Sequence, residues 1–440
     1  MSETVRNSLL FAFVGLLIVL DGTTSFAFFS GSWNSALVIL NMGLVSAIMA
    51  LGVNLQWGFA GLFNVGIMGF VALGGLAVVL VSSAPTPGAW QAGGFGIIIA
   101  LLLGALTVAA ATVIYKNTPK GRLRSVLLVA VLAAGFVVYR KIFDPAVGGV
   151  EAINPANAGN IGGLGLPVLL AWPAGGLLAA GAAWLIGKTA LGLRSDYLAI
   201  ATLGIAEIII AILKNEDWLA RGVKNVIGLP RPVPFEVDLQ NDPGFVESAA
   251  SIGLDPVTAS TLFVKLQYSL LFAAVLIILL VMAQAALKSP WGRMMRAIRD
   301  NEVAAEAMGK DVTRRHLQIF VLGSAICGIA GAMMTTLDGQ LTPGTYQPLR
   351  FTFLIWVMMI VGGSGNNFGA VLGGLLIWFF WIKVEDMGLL LMQLISSGLA
   401  DGSALKTHLV DSAAHMRMLT MGLILLLVLR FSPRGLIPEK

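Results

Sequence analysis

Three arginines, Arg293, Arg296 and Arg299, recur at three-residue spacing in a polar stretch, 288–316, set between long apolar runs. Ser289 followed by Pro290 reads as a helix start, and the spacing then gathers the three guanidiniums along one side of that helix. Asp300 is placed to cap a second, shorter helix over 301–308, which Gly309 would end. On it Val303, Ala304, Ala307 and Met308 form a small apolar stripe, with Glu306 beside them. Asp311 or Thr313 is placed to cap the helix that follows. None of these groups does covalent chemistry. A compact helix held between two longer ones suits docking into a partner's groove and passing on its movement. A solvated loop with helical content is the plainer alternative.

A second set of polar groups lies inside apolar runs. Glu207 stands midway along 196–214, where it could line a solute path or pair with another buried polar group. Asn41, Asn54, Gln56 and Asn64 surround a glycine-rich region and could hydrogen-bond across helices or face such a path. Asp196, two residues from Arg194, reads as half of a local ion pair.

Catalytic signatures are missing. A phosphate-binding loop needs Gly-x4-Gly-Lys-Ser/Thr. The nearest approach is Gly187-Lys188-Thr189, and the position that needs the first glycine holds Ala182. His316, His408 and His415 have no metal-ligand spacing, and the single cysteine, Cys327, sits in an apolar stretch as an inert core thiol. The expectation is a protein with no metal, no cofactor and no enzymatic activity of its own.

The elements that carry these residues follow from composition. Hydrophobic residues make up 57% of the 440 and charged ones only 12%, with a mean hydropathy of +0.87. Soluble domains carry about 25% charged residues, so the simplest solvent for most of this chain is lipid. The net charge of +5 resides in short runs between apolar stretches, which suits membrane orientation and argues against a nucleic-acid partner. The first apolar run is interrupted by Asp21 and lacks a small-residue cleavage site, so it reads as an uncleaved helix.

A spanning helix needs about 20 mostly apolar residues. Candidates are 8–29, 34–55, 61–82, 92–115, 123–140, 166–187, 196–214, 261–287, 317–337 and 416–431, with two short pieces between 352 and 383 split by Gly362-Gly363-Ser364-Gly365-Asn366-Asn367. The fold class is all-α, a polytopic transmembrane bundle of about 10–12 segments that include short or broken helices. Lys116 to Arg124, Lys188 with Arg194, 288–316, and Arg430 to Lys440 are basic, whereas 215–260 is rich in Asp and Glu. Placing the basic loops in the cytoplasm requires 352–383 to cross twice, leaves 215–260 outside, and returns both termini to the cytoplasm. A re-entrant loop over 352–383 would serve the count equally. Three regions result: an extra N-terminal helix (1–34), a core (35–385), and a polar segment with a last helix (386–440). Clustered glycines, such as Gly66, Gly69, Gly74 and Gly75, allow close helix contact. Asn54 to Gly61 and Gly365 to Ala370 share a polar-then-glycine texture too thin to name a repeat.

Three ordered motifs carry a family resemblance: Gly192-Leu-Arg-Ser-Asp-Tyr-Leu-Ala-Ile-Ala-Thr-Leu-Gly-Ile-Ala-Glu207, Ser289-Pro-Trp-Gly-Arg-Met-Met-Arg-Ala-Ile-Arg-Asp-Asn-Glu-Val-Ala-Ala-Glu-Ala-Met-Gly309 and Val361-Gly-Gly-Ser-Gly-Asn-Asn-Phe-Gly369. The chain resembles, over roughly 35–385, bacterial branched-chain amino acid ABC permeases of the LivM type. The resemblance implies an importer subunit in the bacterial inner membrane that works with two cytoplasmic ATPases, a LivH-like second permease and a periplasmic solute-binding protein. It also implies that 300–309 is the coupling helix. The segments 116–165, 215–260 and 384–415 depart from the family pattern. Permeases for urea and short-chain amides are an alternative within the same family. An ion-coupled secondary transporter is another, and it would need more buried ionisable groups than Glu207.

Overall fold

The structure, a computed structural model, describes residues 3–153, 155, 159–399 and 403–439. Each long apolar run forms a helix, because a backbone without water must satisfy its polar groups internally. Among the described residues nine helices are long and apolar enough to cross a membrane. They are built on α1 (Glu3–Thr23), α2 (Trp33–Val53), α4 (Phe95–Asn117), α5 (Arg122–Glu151), α6 (Val168–Ala190), α7 (Ser195–Asn215), α8 (Pro256–Lys288), α11 (Val312–Asp338) and α13 (Asn367–Ile395), with the second span running on to Ala60 and the third starting at Trp90. Two shorter apolar helices, α3 (Ile67–Ser82) and α12 (Pro348–Gly362), join them. So does α14 (Met416–Phe431), bent by 56° against Ala404–Asp411. The protein is thus an all-α polytopic bundle in the range the apolar runs foretold. Between α8 and α11 lie α9 (Pro290–Asp300) and α10 (Glu302–Ala307).

Helix ends differ from the apolar runs where polar side chains intervene. α1 stops at Thr23 because Asp21 Oδ1 accepts from the Ser30 backbone and hydroxyl, both at 2.9 Å, and folds the chain back. α5 continues past residue 140 to Glu151, with Arg140 and Asp144 paired one turn apart at 2.9 Å. α8 begins at Pro256 because Asp255 accepts from the Thr258 amide. α2 does not end cleanly. It passes into a wide, π-type turn over Asn54–Gly58, followed by a non-helical stretch, 61–66, before α3.

α11 is the centre of the bundle and packs on α2, α3 and α6. Lipid gives helices no hydrophobic reason to associate, so close backbone packing must hold them. A Cβ added at Gly74 of α3 would lie 1.9 Å from the Gly328 carbonyl oxygen of α11, and one at Gly331 would lie 2.0 Å from that of Val71. These backbones touch, and only glycine permits it. By contrast α4 and α5 pack chiefly on each other and leave most of their surface open. The segment between α7 and α8 contributes two residues, Val226–Ile227, to a short antiparallel pairing with Gln340–Leu341.

Candidate coupling surface and membrane-embedded polar sites

α9 is amphipathic. Gly292, Met295 and Ile298 are buried on its inner side. Trp291 Nε1 and Arg315 Nη1 both donate to Gln318 Oε1, at 3.1 and 3.0 Å, which fastens α9 to α11. Pro290 occupies the first turn as expected, but the Ser289 hydroxyl donates back to the Ala286 carbonyl instead of capping. The cap of α10 is Asn301, whose Oδ1 accepts from the Ala304 amide at 2.9 Å. The expected cap, Asp300, still belongs to α9 and accepts from Arg299 at 3.2 Å. Gly309 ends the element at φ +75°, and Asp311 caps α11 by accepting from Arg314. No residue of α10 is buried. Val303 is 77% exposed and Met308 79%, and Ala304, Glu306 and Ala307 are exposed beside them.

The three arginines do not share one environment. Arg293 donates to the Lys288 carbonyl at 3.2 Å. Arg296 borders a cleft of about 970 Å³ between α1, α8 and α13. Arg299 turns inward: its Nη1 donates to Glu439 Oε2 at 2.8 Å and to the Gly58 carbonyl of the wide turn. Burial opposes the Arg299 charge, but bonds to Glu439 and Asp300 hold its pKa above the usual guanidinium range.

The contact at Gly58 opens onto a larger junction. Asn54 Oδ1 accepts from the Gly365 amide at 2.8 Å, and its Nδ2 donates to Asn367 Oδ1 at 2.9 Å. The two stretches of similar polar-then-glycine texture therefore bind each other. Asn366 caps α13 by accepting from Phe368 and Gly369, and donates to the Pro438 carbonyl. Leu436 and Ile437 donate to the Val361 and Gly362 carbonyls, both at 2.9 Å. Gly363 (φ +123°) and Gly365 (φ +81°) make the turn possible. α12 and α13 thus meet at the glycine turn on the same side as Arg299.

The remaining amides tie helices together. Asn41 donates to the Lys265 carbonyl at 3.0 Å and accepts from Ser269 at 2.8 Å. Gln56 donates to Phe320 O and Ser324 Oγ of α11 and accepts from Asn64. Asn64 accepts from the Gly66 amide, and its carbonyl accepts from Trp356 Nε1. Through Gln56 and Asn64 the broken helix is bonded to α11 and α12. Asp196 and Arg194 are both exposed, without an ion pair between them among the described residues.

Glu207 is exposed on α7, in a groove of about 490 Å³ shared with Lys214, Gln347, Arg350 and Trp381. It stands roughly 18 Å from one end of α7 and 12 Å from the other at 1.5 Å per residue. A charge at that depth against lipid costs about 3 kcal/mol or more. The residues alone had not disclosed the most deeply buried charges. Lys383 Nζ lies 2.6 Å from Asp21 Oδ1, with side chains 2% and 0% exposed. Each interrupts an apolar run, which is a signal, but nothing in the sequence links α1 to α13.

The family profile described as branched-chain amino acid transport system / permease component matches residues 123–429. The high-affinity branched-chain amino acid permease LivM of Escherichia coli is 27% identical over 275 residues, 60% of this chain and 56% of that protein. The chain therefore spans a little over half the length of that relative. A probable LivM permease of Methanocaldococcus jannaschii is 24% identical over 405 residues, 92% of this chain and 93% of that protein. The ribose import permease RbsC of Haemophilus influenzae is 27% identical over 266 residues, 58% of this chain and 74% of that one. No solved structure matches. The matched stretch contains α6 to α13, the exposed α10 and the glycine turn, so the chain belongs to the family of branched-chain amino acid transport system permease components.

Proposed function

We propose that the protein is the membrane-spanning subunit of an ATP-binding-cassette importer that moves branched-chain or related amino acids across the inner membrane. Two separate cytoplasmic ATPases supply the energy, a second LivH-like permease completes the conduit, and a periplasmic binding protein delivers the solute. Both termini and 288–316 lie in the cytoplasm, and 215–260 lies outside. The observation that carries this reading is the combination at α9 and α10: α10 and the Met308 that follows it present Val303, Ala304, Ala307 and Met308 to solvent, while Arg299 nearby in the chain is bound to the broken helix and the C-terminal tail. Closure of the ATPases would move α10, and Arg299 would transmit that movement to Gly58 and Glu439. Asn41, Asn54, Gln56 and Asn64 keep the broken helix in register, and Glu207 faces the pathway. Arg293 and Arg296 supply positive charge near the ATPase surface.

Glu306→Pro tests this directly. Proline inside α10 removes a backbone donor and distorts the short helix. Membrane insertion should persist, while uptake and its coupling to ATP hydrolysis disappear. Unchanged uptake would refute the docking role. The buried pair Asp21–Lys383 favours one rival, ion-coupled transport, because intramembrane charges often serve ions. Uptake that survives collapse of the ion gradient but stops on ATP depletion rejects that rival.

A further inference from the structure

The groove around Glu207 holds more chemistry than one carboxylate. Arg350, the third residue of α12, lines the same groove, and its Nε has no hydrogen-bond partner among the described residues. Its guanidinium sits 5.4 Å from the Trp381 ring centre, and Arg417, paired with Glu385, sits 5.1 Å from the same ring. Lys214 adds a third cation near the end of α7. Leu349, Phe353 and Met418 supply apolar wall.

Depth sharpens the point. α12 has 15 residues, so it spans about 22 Å, short of the roughly 30 Å hydrocarbon layer. Its far end is tied to the glycine turn beside Arg299, so with that turn at the cytoplasmic surface, as in the proposed topology, Arg350 falls short of the opposite surface. A carboxylate midway along α7 and a guanidinium whose Nε has no hydrogen-bond partner among the described residues are costly against lipid and call for a water-filled path or a ligand.

We propose that this groove receives the zwitterionic head of an α-amino acid during transport. Arg350, helped by Lys214, takes the carboxylate; Glu207 takes the ammonium; Leu349, Phe353 and Met418 face an aliphatic side chain. The proposal rests on the importer reading above and narrows it. A sugar, urea or a neutral amide has no pair of opposite charges to satisfy such a site. The open side of the groove is closed by the second permease.

The complete transporter in lipid nanodiscs, exposed to photo-leucine, provides the test. Its diazirine marks residues around a bound side chain. Label should fall on 347–353 and 418–421 and be displaced by L-leucine much more readily than by isopentylamine, which lacks the carboxylate. Glu207→Gln and Arg350→Gln should each cut labelling by about tenfold or more, the scale of one lost charge-assisted hydrogen bond, and Glu207→Asp should recover much of it. Label confined to other segments, equal displacement by isopentylamine, or full labelling of Glu207→Gln overturns the proposal. Loss of the second permease from the Glu207→Gln complex overturns it too, because Glu207 would then be an intersubunit charge. A wild-type transporter that imports no L-leucine with its binding protein and ATP rejects the importer's substrate, and the groove proposal falls with it. Import of L-leucine without label in the groove rejects the groove alone.

Discussion

Arg299 and Glu439, 140 residues apart, meet at 2.8 Å, and the nitrogen that binds the carboxylate also binds the Gly58 carbonyl. One guanidinium therefore joins α9, the wide turn after α2 and the C-terminal tail. The pair is partly open, at 24% and 28% exposure, so the ion pair alone contributes about 0.5 kcal/mol. The bond to the buried turn adds about 1–2 kcal/mol, because its loss strands a carbonyl.

Unequal variants follow from that asymmetry. Arg299→Ala should lower the stability of the purified protein by about 2 kcal/mol and, under the proposed ATP-driven import, raise the ATP consumed per solute moved. Glu439→Gln keeps a hydrogen-bond acceptor and should cost under about 1 kcal/mol. Thermal melting in detergent, together with uptake and hydrolysis in proteoliposomes, reads both. Equal effects of the two variants would show that Gly58 is not the important partner.

Asp21 and Lys383 invite a different experiment. Both charges are buried at 2.6 Å, with Ser30 donating to the carboxylate. Removing one partner leaves an unpaired buried charge, at a cost of about 3–5 kcal/mol. Lys383→Met alone should therefore melt much earlier than the wild type, and Asp21→Leu with Lys383→Met should recover most of the loss. A double variant as unstable as the single one would mean that Asp21 or Lys383 has another essential partner.

These two pairs show where the sequence is legible and where it stops. Helix existence was readable because apolar length is set by the bilayer, and the α9–α10 element was readable because caps and arginine spacing are local. The Asn301 cap was missed for Asp300 because adjacent Asp and Asn are equally good caps, and only the position of Arg299 decides between them. Asn41, Asn54, Gln56 and Asn64 stood out as polar residues in apolar runs, but most of their partners, such as Lys265 O, Phe320 O and Asn367 Oδ1, lie hundreds of residues away in sequence. Asp21–Lys383 was unreadable for the same reason. Distant pairings depend on which helices touch, and touching depends on glycine surfaces that composition does not orient.

The apolar stripe on α10 makes a prediction about binding without stability. Val303 and Met308 are 77% and 79% exposed, so changing them should alter folding by no more than about 0.5 kcal/mol. Val303→Glu with Met308→Glu should leave the melting curve in place yet prevent co-purification of the proposed partner ATPases, because charge in an apolar groove goes unpaired. Retained co-purification would move the docking surface elsewhere.

Glycine contacts between helices allow the most direct comparison. At Gly74 a methyl group would stand 1.9 Å from the Gly328 carbonyl oxygen, whereas at Gly181 of α6 nothing lies within 4 Å. The Gly74 clash is with backbone, so relief requires α3 and α11 to separate and to lose contacts along their length. Gly74→Ala should cost about 1–3 kcal/mol and reduce the yield of folded protein. Gly181→Ala adds the same methyl in open space and should leave the melting temperature unchanged or slightly higher, since alanine is the better helix former. Equal melting temperatures for the two variants would mean that the α3–α11 contact yields easily and that the bundle is held by its amide bonds.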